Sequence, residues 1–345
     1  MRHRSRRAPA ATITIKDVAR DAGVSVATVS RVLNQTNQVT AGTEAQVRRA
    51  ATALGYTPHA GARSLITRRT HTIGVLLPDL YGEFFSELIR GIDQAAQRYG
   101  YHCLVTSAHH REPQLEAVLR SMRGRVDGLV LMSPEFTGAV SARTLPAGFP
   151  VVMLNCKSSE SRHHSLTVAN YRGARAMVKH LAGLGHRSIA IVEGAAGNFD
   201  ASERLRGYRA ELRAAGLTRR PELEVAGDFS EESGAMAARQ LLALESPPTA
   251  IFAANDCMAV GAIAAIRDAG LRVPDDVAIG GFDDIPMARY IAPALTSVRV
   301  DISALGERAA TRLLTLVEQE RNDPPTHDII PTTLVVRQSC GAARE

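Results

Sequence analysis

Residues Thr14–Asn34 read TIKDVARDAGVSVATVSRVLN, and this stretch decides the fold of the N-terminus. Thr14 stands where a helix N-cap belongs, with Asp17 three residues on in the acid position of a capping box. Val18 and Ala19 fall on one helical face, and Gly23 ends the helix while permitting a left-handed turn. Ser25 then caps a second helix whose apolar face is Val29, Val32 and Leu33. Ala19 and Gly23, four apart, leave room for two helices to cross closely, as a helix-turn-helix requires. A third amphipathic helix is expected within Glu44–Leu54, with Val47, Ala50, Ala51 and Leu54 inward and Arg48 and Arg49 outward. A plain three-helix bundle shares this spacing, so charge has to separate the two.

The 345-residue chain carries a net charge of +6, unevenly placed. Residues 1–69 hold 12 Lys/Arg against 3 acids, net +9; the remaining residues hold 29 against 32, net −3. A compact basic unit on a near-neutral body is what binding to a phosphate backbone requires. The tail alone, residues 1–11, does not account for it, since residues 12–69 are still +5. Scattered Cys103, Cys156, Cys257 and Cys340, with no CxxC and no clustered His, suggest neither a disulfide framework nor a metal site. The longest uncharged apolar run, Cys257–Ile266, is too short to cross a bilayer, and Met1–Ala11 lacks the apolar stretch of a secretion signal. A soluble, cytoplasmic location is expected, with no membrane partner.

After Thr70 the pattern changes. Short apolar runs (Ile73–Leu77, Cys103–Thr106, Gly128–Met132, Val151–Leu154, Ile189–Val192, Ala250–Ala253, Val277–Gly280) alternate with helical stretches. The stretches are Phe84–Tyr99, Gln114–Met122, Tyr171–Leu184, Glu203–Ala215, Ser233–Leu244 and Met258–Ala269. Such alternation implies an α/β body of parallel, doubly wound sheets, and a break near Ala169 divides it into two similar lobes. Ligands in these folds bind beyond the C-terminal ends of the strands, here in the crevice between the lobes. No G-x-S-x-G elbow, phosphate loop or metal constellation appears, so neither catalysis nor a cofactor is expected. His109-His110 and His163-His164 read as surface loops.

The helix-turn-helix stretch is followed by Leu54-Gly55-Tyr56-Thr57-Pro58 and by Ala62-Arg63-Ser64-Leu65. Together these resemble the lactose/galactose repressor family of bacterial transcription regulators, from about Thr12 to the C-terminus. The resemblance implies a head over 12–57, a hinge helix over 58–69, and a body like a periplasmic sugar-binding protein. One lobe would comprise 70–169 with about 299–330, the other 170–298 with about 331–345. It further implies a homodimer on a pseudo-palindromic double-stranded operator, controlled by a small sugar-like effector.

By that resemblance Val26, Ala27 and Arg31 read bases, two small side chains suiting a thymine methyl and Arg31 a guanine edge. Thr14, Ser25, Thr28 and Ser30 offer hydroxyls to phosphate oxygens. The Ala62-Arg63-Ser64-Leu65 hinge would enter the minor groove, with Leu65 as the wedge at a base step. Arg68 and Arg69 read equally as linker charges and backbone contacts.

The effector residues carried over are Asp79, Phe84, Phe85, Asn155, Asp200, Arg204, Phe229, Asn255 and Asp283. Asp256 and Asp284 read equally as helix N-caps. Carboxylates, an amide and a planar arginine among aromatic rings suit a polyhydroxy ligand. Purine-binding relatives have Arg and Thr where this chain has Asn198 and Asp200, which turns the expectation away from a purine. Three alternatives stay open: a purine- or nucleoside-responsive regulator, one governed by a protein partner, and a sugar-binding protein whose basic head is incidental.

Overall fold

The computed structural model describes residues 13–33, 39–56, 69–107, 112–132, 138–156, 163–319 and 324–341. The expected tail, the hinge motif with Ala62, Arg63 and Leu65, and His109-His110 lie outside the described residues. The chain divides after Thr70 into two compact units.

The first unit contains α1 (Ile15–Asp21), α2 (Val26–Leu33) and α3 (Ala41–Leu54). The Thr14 N–H and hydroxyl both donate to Asp17 Oδ2, at 3.0 and 2.8 Å. Those bonds, helped by Arg20, hold the Asp17 carboxyl below its usual range. Gly23 takes a φ of 59° in the tight turn, and Ser25 Oγ accepts the Thr28 N–H at 3.1 Å to start α2. Thr40 caps α3, which therefore begins three residues before the expected Glu44. Val18, Ala19, Val29, Val32, Val47, Ala50 and Ala51 are buried together, the apolar faces read from the sequence.

In the second unit the elements are β1 (Thr72–Leu77), α4 (Glu83–Arg98), β2 (His102–Ser107), α5 (Glu112–Met122), β3 (Gly128–Leu131), α6 (Gly138–Thr144), β4 (Val151–Leu154) and β5 (His164–Val168). There follow α7 (Asn170–Gly183), β6 (Ile189–Val192), α8 (Phe199–Ala214), β7 (Glu224–Val225), α9 (Glu231–Leu242), β8 (Ala250–Ala253), α10 (Asp256–Asp268) and β9 (Ala278–Asp283). The last are β10 (Thr296–Val300), α11 (Ile302–Gln319), β11 (His327–Ile330) and β12 (Thr332–Val335). They form two sheets, ordered β11-β5-β4-β3-β1-β2 and β12-β10-β9-β8-β6-β7, parallel except for the antiparallel β10–β12 pair. The chain passes between the sheets after β5, after β10 and after β11.

Strands β1, β3, β4, β6, β8 and β9 are almost wholly buried, because helices cover both faces, and this is why they read as continuous apolar runs. The second sheet's helix pair α9–α10 approaches so closely that a Cβ on Gly261 would lie 1.8 Å from the Glu231 carbonyl oxygen. A Cβ on Gly234 would lie 2.1 Å from that of Met258.

Two expectations need correction. His164 is no surface loop: it opens β5, is buried, and its Nδ1 lies 2.9 Å from Thr326 Oγ1. Pairing on both sides, with β4 and β11, pulls this polar-headed segment into the sheet. Nor is Asp256 an N-cap. Asn255 takes that position, its Oδ1 accepting the Met258 N–H at 3.0 Å, and Asp256 is the first residue inside the helix. Asp284 follows β9 and pairs with Arg299 and Arg337, both at 2.7 Å, and caps nothing. Among the described residues no helix is long and apolar enough to cross a membrane.

Candidate functional site

On the three-helix unit the exposed side of α2 presents Val26, Ala27 and Arg31, opposite the buried Val29 and Val32. Positions 26, 27, 30 and 31 share a helical face, since residues four apart stack one turn above another. Val26 is 41% exposed, an apolar side chain left in water at a helix N-terminus. Beside it the Ser25 and Thr28 hydroxyls lie 2.8 Å apart. Thr14 is exposed and Ser30 half-buried. The face thus combines a small apolar patch, hydroxyls and a guanidinium.

In the second unit a cavity of about 210 Å³ opens beyond the C-terminal ends of the strands of both sheets. From the first sheet's side come Asp79, Tyr81, Phe84, Phe85 and Met132; from the second, Asn198, Asp200, Arg204, Asp228, Phe229, Glu231, Asn255, Cys257 and Asp283. Phe84 and Phe85, in the first turn of α4, meet edge to face with centroids 5.5 Å apart. Phe229 adopts a φ of 76°, with its carbonyl oxygen fixed by the Asn255 Nδ2 at 2.9 Å.

Arg204 organises the polar wall. Its Nε donates to Asn170 Oδ1 at 2.8 Å, Nη1 to the Ala254 carbonyl, and Nη2 to Asp283 Oδ1 at 3.1 Å. The guanidinium lies 3.8 Å from the Phe282 ring centroid, an aromatic shelf beneath a buried cation. Asp200 accepts Asn170 Nδ2 at 2.7 Å. Burial pushes the Asp200 carboxyl up to about 6 despite Arg204 and Asn170. Asp283 is also pushed up to about 6, by burial against the pull of Arg204 and with Asp200 close by. Behind them Asp256 accepts Ser297 Oγ at 2.6 Å and the Ile285 N–H at 2.9 Å; burial and neighbouring Asp283 keep it well above the usual carboxylate range. A Cβ on Gly281 would fall 2.2 Å from that carboxylate, so glycine there makes room for it. Among the described residues no cluster of His, Cys, Asp or Glu could hold a metal ion.

Residues 14–59 match the family "Bacterial regulatory proteins, lacI family", and residues 178–340 match the "Periplasmic binding protein-like domain". The chain is 37% identical over 329 residues to the HTH-type transcriptional repressor PurR of Erwinia tasmaniensis, covering 94% of this chain and 96% of that one. The chain belongs to the lacI family. Its structure is similar to the Lac repressor dimer bound to operator and the anti-inducer ONPF (31% identity, TM-score 0.86, 96% and 99% covered). The transcriptional regulator CelR–cellobiose complex is similar at 31% identity and a TM-score of 0.71, with 95% and 99% covered.

As a lacI-family member the protein is a DNA-binding transcriptional repressor with a helix-turn-helix head and an effector-binding body, and the resemblance read in its sequence holds. Of the nine effector residues carried over within this lacI-family body, eight line the cavity. Asn155 does not line it. It follows β4 directly with a φ of 51°, and its side chain hydrogen-bonds to Asp200. Asp79 is exposed at the rim, its Oδ1 accepting the Leu80 and Tyr81 N–H groups at 2.6 and 3.2 Å. Sequence reading missed Tyr81, Met132, Asn198 as a lining residue, Asp228, Glu231 and Cys257. Asn198 and Ser230 before helical stretches were legible as N-caps, and placing the caps would have placed Asp228 and Glu231.

Proposed function

We propose that this repressor senses a polyhydroxy, sugar-like effector in the interlobe cavity and thereby controls its grip on DNA. The observation behind the reading is the pairing of three phenylalanine rings with the Arg204–Asp283–Asp200 wall in one cavity. Rings cover the apolar face of a pyranose, while fixed carboxylates and amides take its hydroxyls. The cellobiose complex of the similar regulator CelR supports the same class. A thermal-shift screen of the full chain against sugars, sugar phosphates, nucleosides and nucleobases tests it, with stabilisation by sugars expected. Stabilisation by nucleobases alone overturns it in favour of the second reading, a nucleobase effector, which the full-length match to PurR repressors favours.

The exposed face of α2 would enter the major groove, with Val26, Ala27 and Arg31 on base edges and the Thr14, Ser25, Thr28 and Ser30 hydroxyls on phosphates. A homodimer would present two heads to a pseudo-palindromic operator, in keeping with the similar Lac repressor dimer on its operator. A footprint with no dyad overturns the dimer. The role is binding without turnover, in the bacterial cytoplasm.

A further inference from the structure

The interlobe cavity measures about 210 Å³. Pockets for drug-sized ligands begin at about 300 Å³, and an engineered cavity of about 150 Å³ holds one benzene ring. The space therefore suits one substituted ring. A second ring would pass the rim at Asp79 and Tyr81, both exposed, and lie in water without new contacts.

The aromatic platform of the second lobe is fixed from behind. Phe229 holds a φ of 76°, a left-handed conformation that is costly for a residue with a bulky side chain. Hydrogen bonds on both sides keep it there: Asn255 Nδ2 donates to the Phe229 carbonyl at 2.9 Å, and Asp228 Oδ1 accepts the Ser230 N–H at 2.9 Å. The Phe229 ring rests on Gly194, in the loop after β6, where an added Cβ would fall 2.2 Å from Cζ and 2.4 Å from Cε1 of that ring. Gly194 thereby differs from Gly227, Gly234 and Gly261, whose added Cβ would first strike a backbone carbonyl oxygen. A backbone atom held in a helix or strand end cannot give way, whereas the far edge of a side-chain ring can.

We propose that the effector is a single-ring sugar, and that Gly194 selects which ring is accepted by setting how far the Phe229 platform stands back. This rests on the polyhydroxy reading above. The sugar ring lies between Phe229 of one lobe and Phe84 and Phe85 of the other. The depth left by Gly194 admits the exocyclic hydroxymethyl group that separates a hexopyranose from a pentopyranose. A Cβ at position 194 drives the Phe229 ring forward into the cavity, and the larger sugar is lost before the smaller. Gly194 touches no ligand itself; it is a positioning residue that acts through Phe229.

Isothermal titration of the full chain with glucose and galactose, their pentose counterparts xylose and arabinose, and the disaccharides cellobiose and lactose tests both parts. At least one hexose is expected to bind, with neither disaccharide binding tighter than its component monosaccharides. One group more or less in a fitted pocket changes affinity about tenfold, so Gly194→Ala should lower the hexose-to-pentose affinity ratio by about that factor while the chain keeps a cooperative thermal transition. In Gly194→Ala/Phe229→Leu the shorter side chain relieves the clash, so most of the ratio should return at weaker affinity for every sugar; this variant carries the test if the single one does not fold. A disaccharide binding tighter than its monosaccharides, or no monosaccharide binding at all, overturns the single-ring assignment. An unchanged ratio in folded Gly194→Ala, or a ratio still lowered in the double variant, overturns the role of Gly194. Hypoxanthine and adenosine complete the titrations: binding there with none by any sugar removes the polyhydroxy reading as well, whereas tighter disaccharide binding leaves it standing.

Discussion

Arg204 Nη2 donates to Asp283 Oδ1 at 3.1 Å, and both side chains are buried in the interlobe wall. The pair ties α8 to the end of β9 and, through Ala254 and Asn170, to the end of β8 and the start of α7. Removing one partner strands the other charge in a low-dielectric site, which costs about 3–5 kcal/mol. Arg204→Met is expected to lower the urea stability of the full chain by that amount and to abolish effector binding. The double variant Arg204→Met/Asp283→Asn should recover most of the stability and none of the binding. Equal stability of Arg204→Met and the parent would show that the pair is dispensable.

Two carboxyls held near 6 make stability depend on pH. Asp200 and Asp283 have an ordinary value of 3.8 and are raised by burial, so the folded state holds their protons more tightly than the unfolded one. Their contribution is complete below about 4 and is lost as pH rises through about 6. The unfolding free energy should fall by about 2 kcal/mol between pH 5 and 7 on their account, and Asp200→Asn should shrink that slope. Glu224 works below this window. Burial alone would raise it, but Arg219 and Arg209 pull it down to about 2, so its contribution is lost only as pH falls through 4.5 toward 2. A slope rising with pH from 5 to 7 would contradict the assignment.

Much of this was legible because period and chemistry coincide. In α2 the spacing of Val29 and Val32 marked the buried face, whereas Val26, Ala27 and Arg31 were picked out by the family resemblance and lie on the exposed one. The core strands were legible as unbroken apolar runs, since both their faces are covered. Strands β5, β10, β11 and β12 were not. They mix His, Ser, Thr, Arg and Asp with apolar residues, and only their neighbours in the sheet make them strands. Cavity residues such as Met132 and Glu231 belong to segments far apart in sequence, and no local pattern marks which side of a loop faces a crevice 100 residues away.

The α9–α10 contact is a structural support of the site. A Cβ on Gly261 would lie 1.8 Å from the Glu231 carbonyl oxygen, a backbone atom that cannot swing aside. Gly261→Ala must part the helices, at a cost of about 1–3 kcal/mol, or a melting temperature lower by roughly 2–4 °C for each kcal/mol. Because Glu231 and Asn255 begin these two helices, effector affinity should fall with it. Calorimetry and titration of the same sample check both. Unchanged affinity in a destabilised variant would separate the helix contact from the site.

Arg31 and Thr28 should fail differently on DNA. Arg31 is exposed on the outer face of α2, where a guanidinium can reach the O6 and N7 of guanine, and such a contact discriminates one base position by about 1–3 kcal/mol. Thr28 sits by Ser25 at the start of the helix, with its hydroxyl 2.8 Å from Ser25 Oγ, and a hydroxyl there suits a phosphate oxygen, which positions without specifying. Arg31→Ala is therefore expected to relax sequence preference at one position in each half-site, whereas Thr28→Val should weaken all operators by a similar factor. Competition of both variants over a library of randomised half-sites, at one fixed salt concentration, reads the two patterns directly. If Arg31→Ala instead weakens every sequence alike, Arg31 holds the backbone, and base reading falls to Val26 and Ala27 alone.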